Sequence, residues 1–224
     1  MNYLPRLDVC IGMFFEILAT VFACVYYFKY KHCSLKILMP YLIFMVLNEN
    51  SAWYYWVYNY HFLQNKTVNN YVFMNIYSIV TVYVFLYIYY KSIRNETVKK
   101  TIFGLGLIYG LVSIANCFYH NFFNEMTDTP DVVMSLVLVI AAILYLFEIL
   151  NSDKIVIINK VLLFWISIAI LLYYIPIVPY QAVAKFYRNG HFTPAFYKIN
   201  TYLGIIYYIT FIVGFVCCGK NQKD

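Results

Sequence analysis

Seven apolar stretches follow one another along the chain, at 8–28, 35–58, 71–90, 101–123, 132–150, 161–180 and 196–218. Each holds about 20 residues, and a helix of that length, rising 1.5 Å per residue, crosses the roughly 30 Å hydrocarbon core of a bilayer. In lipid the backbone must satisfy its own hydrogen bonds, which makes helices the spanning structure for such runs. The spacing therefore predicts an all-α integral membrane protein, a single seven-transmembrane-helix bundle over 1–224 with no soluble domain. The longest connection is 181–195, so chemistry has to come from the helices, from short loops or from a partner.

The composition agrees with the spacing. Only 12% of residues are charged and 63% are hydrophobic, with a mean hydropathy of +0.68, whereas soluble domains carry about 25% charged residues. The net charge of +6 is no nucleic-acid signature, because the basic residues cluster at the ends of apolar runs. They read as orientation signals. Eleven Lys and Arg (Lys29, Lys31, Lys36, Lys91, Arg94, Lys99, Lys100, Lys154, Lys160, Lys220, Lys223) fall on one side and five (Arg6, Lys66, Lys185, Arg188, Lys198) on the other. The excess puts the N-terminus outside and the C-terminus in the cytoplasm, with the acidic connection 124–131 outside. The first run has no small-residue cleavage site after it and reads as a transmembrane helix rather than a signal peptide.

Within this frame the polar groups inside the apolar runs stand out. Leu47-Asn48-Glu49-Asn50-Ser51 sets a carboxylate between two amides in a stretch otherwise free of charge from Ile37 to Val57. Such groups are costly in lipid and face protein or water. Counted from the outer ends of their helices, Glu16 and Glu49 both lie about 12 Å deep. Asn75, Asn116 and Asn200 fall in the same half, and His120 lies one turn from Asn116. Helical spacing gives directions. Glu16 shares a stripe with Gly12, Ala19, Thr20 and Ala23, small residues that admit a neighbouring helix. Glu49 shares one with Met45, Ala52, Trp53 and Trp56, placing an indole above the carboxylate. The fourth run repeats Gly106, Tyr109, Ser113, Asn116 and His120, and the seventh Asn200, Gly204, Tyr207 and Tyr208. Near Tyr174, Pro176 and Pro179 remove backbone donors and either open the end of the sixth helix or are merely tolerated there.

Two readings follow. In one, Glu16, Asn48, Glu49, Asn50, Trp53, Asn75, Asn116, His120, Tyr174, Asn200 and Tyr207 line an outward-facing ligand pocket. In the other the same groups form a network that fixes helix packing. Two carboxyls at one depth favour the pocket, since each needs a partner or a proton.

No cofactor, metal or catalytic motif accompanies them. Cys10, Cys24, Cys33, Cys117, Cys217 and Cys218 lack CxxC spacing and read as small buried apolar side chains. Lys198 sits at the end of the seventh run, so the mid-helix lysine of a microbial rhodopsin is missing. The Ser, Asp and paired-His set of ceramidase-type membrane hydrolases is missing too, since no Asp falls inside an apolar run, and the four histidines lie at or near run ends, which excludes a bis-His haem. Asn65-Lys66-Thr67 is a glycosylation sequon of consequence only in a secretory-pathway host. The aromatic and basic connection 181–195 reads as an interfacial connector or as a lid.

In layout alone, an outside N-terminus and short connections, the chain is similar to the seven-helix sensor modules that precede bacterial histidine kinases. The likeness implies a bacterial inner-membrane sensor of a small-molecule or lipid ligand, with a cytoplasmic or membrane signalling partner and no nucleic acid. A small proton- or cation-coupled transporter using Glu16 and Glu49 is the alternative. A lipid-directed enzyme ranks third, because no nucleophile or metal triad accompanies His120.

Overall fold

Apolar runs of this length fold as helices because each helix satisfies its own backbone groups, and in the computed structural model all of them do. The structure describes residues 7–30, 34–63, 69–125, 127–151, 160–187 and 194–219. The helices are α1 (Leu7–Tyr30), α2 (Leu38–Val57), α3 (Tyr71–Ser92), α4 (Glu96–Tyr119), α5 (Asp128–Leu150), α6 (Leu162–Tyr187) and α7 (Pro194–Gly219). No strand occurs among the described residues. Six of the helices are long and apolar enough to cross a membrane. The seventh, α2, is long enough but not apolar enough, because it carries Asn48, Glu49, Asn50 and Ser51 at mid-length. The sequon 65–67, Cys33 and the stretch 188–193 of the supposed lid lie outside the described residues.

Local chemistry sets several helix ends away from the apolar boundaries. Asn95 accepts from the backbone N–H groups of Thr97 (2.9 Å) and Val98 (3.4 Å), so α4 starts at Glu96, before the apolar run itself begins. Glu148, near the end of α5, adds a second anchor by accepting from Arg94 N (2.6 Å) and Asn95 N (3.4 Å). α5 likewise begins inside the acidic stretch, at Asp128, where Asp128, Pro130 and Asp131 suit a first turn. α6 runs through Pro176 and Pro179 to Tyr187, so the prolines do not end it and half of the expected 181–195 connection is helical. They remove the bonds that the carbonyls of Leu172 and Ile175 would otherwise accept.

The packing is a closed ring of six helices. Going round, α1 packs on α2, α2 on α3, α3 on α5, α5 on α6, α6 on α7 and α7 back on α1. α4 packs on α3 and α5, which already touch each other, and so it stands outside the ring. Its outer face (Phe103, Leu107, Leu111, Ile114, Phe118) is correspondingly accessible, while Ile102, Gly106, Tyr109 and Asn116 are buried against α3 and α5. Small residues set the closest approaches. A Cβ on Gly214 would come within 2.7 Å of Trp165 Cβ, so α6 and α7 meet at a position only glycine fits. The cysteines Cys10, Cys24 and Cys117 are accessible on helix surfaces rather than buried, since the small inward positions of α1 are taken by Ala19 and Ala23.

Candidate functional site

Five of the ring helices, α1, α2, α3, α6 and α7, leave a cavity of about 360 Å³ between them. It lies in the half of the bundle where α1, α3 and α7 begin and α2 ends. α1 supplies Gly12, Met13 and Glu16; α2 supplies Met45, Asn48, Glu49, Ala52, Trp53 and Trp56. α3 contributes Met74 and Tyr77 with Asn70 just before it, α6 Tyr173, and α7 Asn200, Thr201, Gly204 and Tyr208. Among the described residues no lysine, arginine or histidine lines the cavity.

The helical stripes explain the lining. On α1 the small positions turn to α7 and α2: a Cβ on Gly12 would sit 3.6 Å from Thr201 Cγ2, and Ala19 and Ala23 are fully buried. The same face carries Glu16 into the ring, where it is 1% exposed. On α2 the spacing of Met45, Glu49, Ala52, Trp53 and Trp56 brings the acidic group and both indoles to one face.

The two glutamates differ in setting. Glu49 is accessible at the open side of the cavity, and Glu16 is buried behind it. Glu49 and the Tyr208 hydroxyl are the polar side chains beside the Glu16 carboxyl. The second oxygen of Glu16, Oε1, is buried and has no hydrogen-bond partner among the described residues. An ionised carboxylate accepts only, so a hydrogen bond between two carboxyls requires a proton on one of them. A buried oxygen left without a donor costs about 1–3 kcal/mol, a cost that Glu16 shares with Tyr109 Oη, Ser113 Oγ and Asn116 Nδ2 on α4 and the Tyr174 and Tyr207 hydroxyls, likewise unpaired among the described residues.

Other polar contacts hold the walls. Asn48 donates to Phe73 O of α3 at 3.1 Å, and Tyr173 donates to Asn200 Oδ1 at 3.0 Å, joining α6 to α7 at the rim. Behind the cavity Tyr41 Oη lies 3.1 Å from Thr81 Oγ1, with Tyr77, Tyr174 and Tyr207 close by.

The residues singled out from the sequence divide accordingly. Glu16, Asn48, Glu49, Trp53 and Asn200 line the cavity. Tyr174 (1% exposed) and Tyr207 (4%) are packed behind its wall, and their sequence neighbours Tyr173 and Tyr208 line it instead. Asn50 lies on the accessible face of α2 and donates to Val46 O in its own helix at 2.7 Å. Asn75 is spent on the α4–α5 turn. It donates to Phe122 O (2.7 Å) and Glu125 O (3.0 Å) and accepts from Thr127 N (3.2 Å) and Thr127 Oγ1 (2.8 Å). His120 is not helical; it follows α4 and pairs with Glu125 at 2.8 Å on the surface. Asn116 faces the α3–α5 seam, with its side-chain nitrogen buried and unpaired among the described residues. The contributions of Tyr77, Thr201 and Met74 were not read from the sequence, although Tyr77 lies about half a helical turn from Asn75 on the same span.

One acidic residue changes category. Asp131, expected in an outer loop, is 5% exposed within α5 and accepts from Ser78 Oγ at 2.6 Å, so α3 and α5 share a buried polar contact. This is an aspartate inside the bundle. It lies outside the cavity lining.

Fold and site together define a multi-pass helical membrane protein with an acidic, aromatic-walled cavity. No protein-family model, no curated protein and no solved structure matches the chain.

Proposed function

We propose that this is a seven-span protein of a cytoplasmic membrane, with its N-terminus outside, whose cavity binds a small or amphipathic molecule from the outer face. Bound and free states are passed on to a signalling partner. The observation that carries the reading is a cavity of about 360 Å³, within the size range of small-molecule sites, into whose wall the unpartnered Glu16 oxygen is set. An ionisable residue inside a membrane bundle marks a functional site by default.

A second reading, proton- or cation-coupled transport, draws on one specific feature: two carboxyls that meet in a cavity open on one side. His120 stands apart from the cavity and pairs with Glu125, which takes from the lipid-directed enzyme its pairing of His120 with a cavity glutamate.

The test uses Asn200→Cys in a chain whose native cysteines are replaced. A membrane-impermeant maleimide added to intact cells is expected to label it, and a small ligand is expected to protect it. Labelling only after permeabilisation removes the outward-facing reading. Uptake of the protecting compound into proteoliposomes along an imposed pH gradient, abolished by Glu49→Gln, moves the assignment from sensor to transporter.

A further inference from the structure

We infer that the cavity takes an organic ammonium group. The inference rests on the ligand-binding reading above and names the chemistry of its ligand. Glu16 and Glu49 place two carboxyls on one side of the space, and Trp53, Trp56, Tyr77 and Tyr208 place aromatic rings around them. Tyr173 closes the rim on the α6 side.

Each competing ligand class leaves something in this lining unused. An anion meets two carboxyls and, among the described lining residues, no basic side chain to answer its charge. A neutral apolar molecule fills the space but leaves two carboxyls without a counter-charge. A bare metal ion needs a shell of oxygens, and much of this wall is indole, phenol ring and the thioethers of Met13, Met45 and Met74. An alkylated ammonium uses all three features. Its charge answers the carboxyls, its N–H or N-methyl groups lie against ring faces that attract cations, and its alkyl groups meet the methionines. A cavity of about 360 Å³ holds such a group with its substituents.

The same group is presented by a free amine and by a lipid headgroup, and the experiment separates the two. The full chain is purified in detergent as the Trp165→Phe variant, which leaves Trp53 and Trp56 as the reporters among the three tryptophans. Choline is titrated against its neutral isostere 3,3-dimethyl-1-butanol, with tryptophan emission and melting temperature as readouts. Choline is expected to shift both saturably and to bind about tenfold or more tightly than the isostere, the scale of a desolvated cation–π and charge contact. Glu16→Gln and Glu49→Gln are each expected to weaken choline by a similar factor and to leave the isostere unchanged. Trp53→Leu, which keeps both carboxyls, serves if those variants fail to fold, and is expected to weaken choline several-fold.

Repeating the titration in nanodiscs of phosphatidylcholine and of phosphatidylglycerol assigns the source. Choline binding that is lost only in phosphatidylcholine identifies a headgroup site; binding equal in both identifies a free amine. Equal affinity for choline and the isostere overturns the ammonium inference while the ligand-binding reading stands. Wild-type choline affinity in both Gln variants overturns it as well. If neither compound binds, the ammonium inference falls, and the maleimide labelling of Asn200→Cys separately judges whether a ligand site exists.

Discussion

Glu16 on α1 and Glu49 on α2 stand side by side in the cavity wall, one buried at 1% exposure and the other accessible. A packed bundle gains nothing from that pairing, because a carboxyl beside a carboxyl and an oxygen without a donor both oppose folding. Glutamine at position 16 has nearly the same shape, carries no charge and offers an N–H to Glu49. Glu16→Gln is therefore expected to raise the melting temperature of the ligand-free protein, by an increment corresponding to about 1–3 kcal/mol. Thermal unfolding in detergent checks it. A lowered melting temperature would mean that the pair supports the fold, which is the packing-network reading.

Asn75 sits in the opposite situation. All of its hydrogen-bonding capacity is used, two donations to the carbonyls of Phe122 and Glu125 and two acceptances from Thr127, so it ties α3 to the turn before α5. Asn75→Ala leaves those turn groups without their partner and is expected to cost about 2 kcal/mol or more. Asn75→Asp keeps the acceptor but sets a carboxyl oxygen against the carbonyls of Phe122 and Glu125 in a buried site, so a loss at least as large is expected. Since Asn75 does not line the cavity, choline affinity in the surviving fraction is expected to stay within about twofold of wild type.

The contrast between these two residues explains how far the sequence could be read. Both were legible as polar groups at similar depth, because apolar run length gives helix ends and 1.5 Å per residue gives depth. What Asn75 bonds to is a turn 47 and 50 residues further along the chain, and no local pattern carries that. The stripe on α4 was legible as inward-facing, and Asn116 is indeed buried. Its destination was not legible, since a stripe turned to the α3–α5 seam looks the same in sequence as one turned to a central cavity. Asp131 was assigned to a loop because Asp128, Thr129 and Pro130 read as polar punctuation; the same residues make a good first turn, and the helix starts there. Tyr207 and Tyr208, adjacent in sequence, point to different sides of one wall, a difference of about 100° of rotation that periodicity resolves only when the cavity's direction is known.

Gly214 marks the tightest contact between α6 and α7. An added methyl would stand 2.7 Å from Trp165 Cβ and 3.1 Å from Leu162 Cδ1, and the first of these atoms is fixed to the backbone of α6. Gly214→Ala is expected to push the helices apart and cost about 1–3 kcal/mol. Gly104, whose added Cβ would meet nothing within 4 Å, supplies the control. Gly104→Ala is expected to be neutral or to stabilise by up to about 1 kcal/mol through helix propensity. Melting temperatures of the two variants side by side check both, and equal losses would point to backbone effects rather than to the α6–α7 contact.

The carboxyl pair also sets the pH dependence expected of ammonium binding. The groups near Glu16 are Glu49 and Tyr41 from α2, Tyr77 from α3 and Tyr208 from α7, with no basic side chain lining the cavity among the described residues. Two ionised carboxylates cannot hydrogen-bond each other, so where the two side chains bond in the ligand-free protein the contact holds one proton. An arriving cation satisfies both carboxyls once that proton leaves. Binding with proton release strengthens as pH rises, because a higher pH draws off the product proton, and log Kd is expected to fall with a slope approaching about one per pH unit. Calorimetry of choline binding in two buffers of different ionisation enthalpy reads the released proton directly. In Glu49→Gln an amide N–H takes the place of the shared proton, so the released proton and the slope are both expected to vanish together. A slope that persists in that variant would place the exchanging proton on a group other than the Glu16–Glu49 pair.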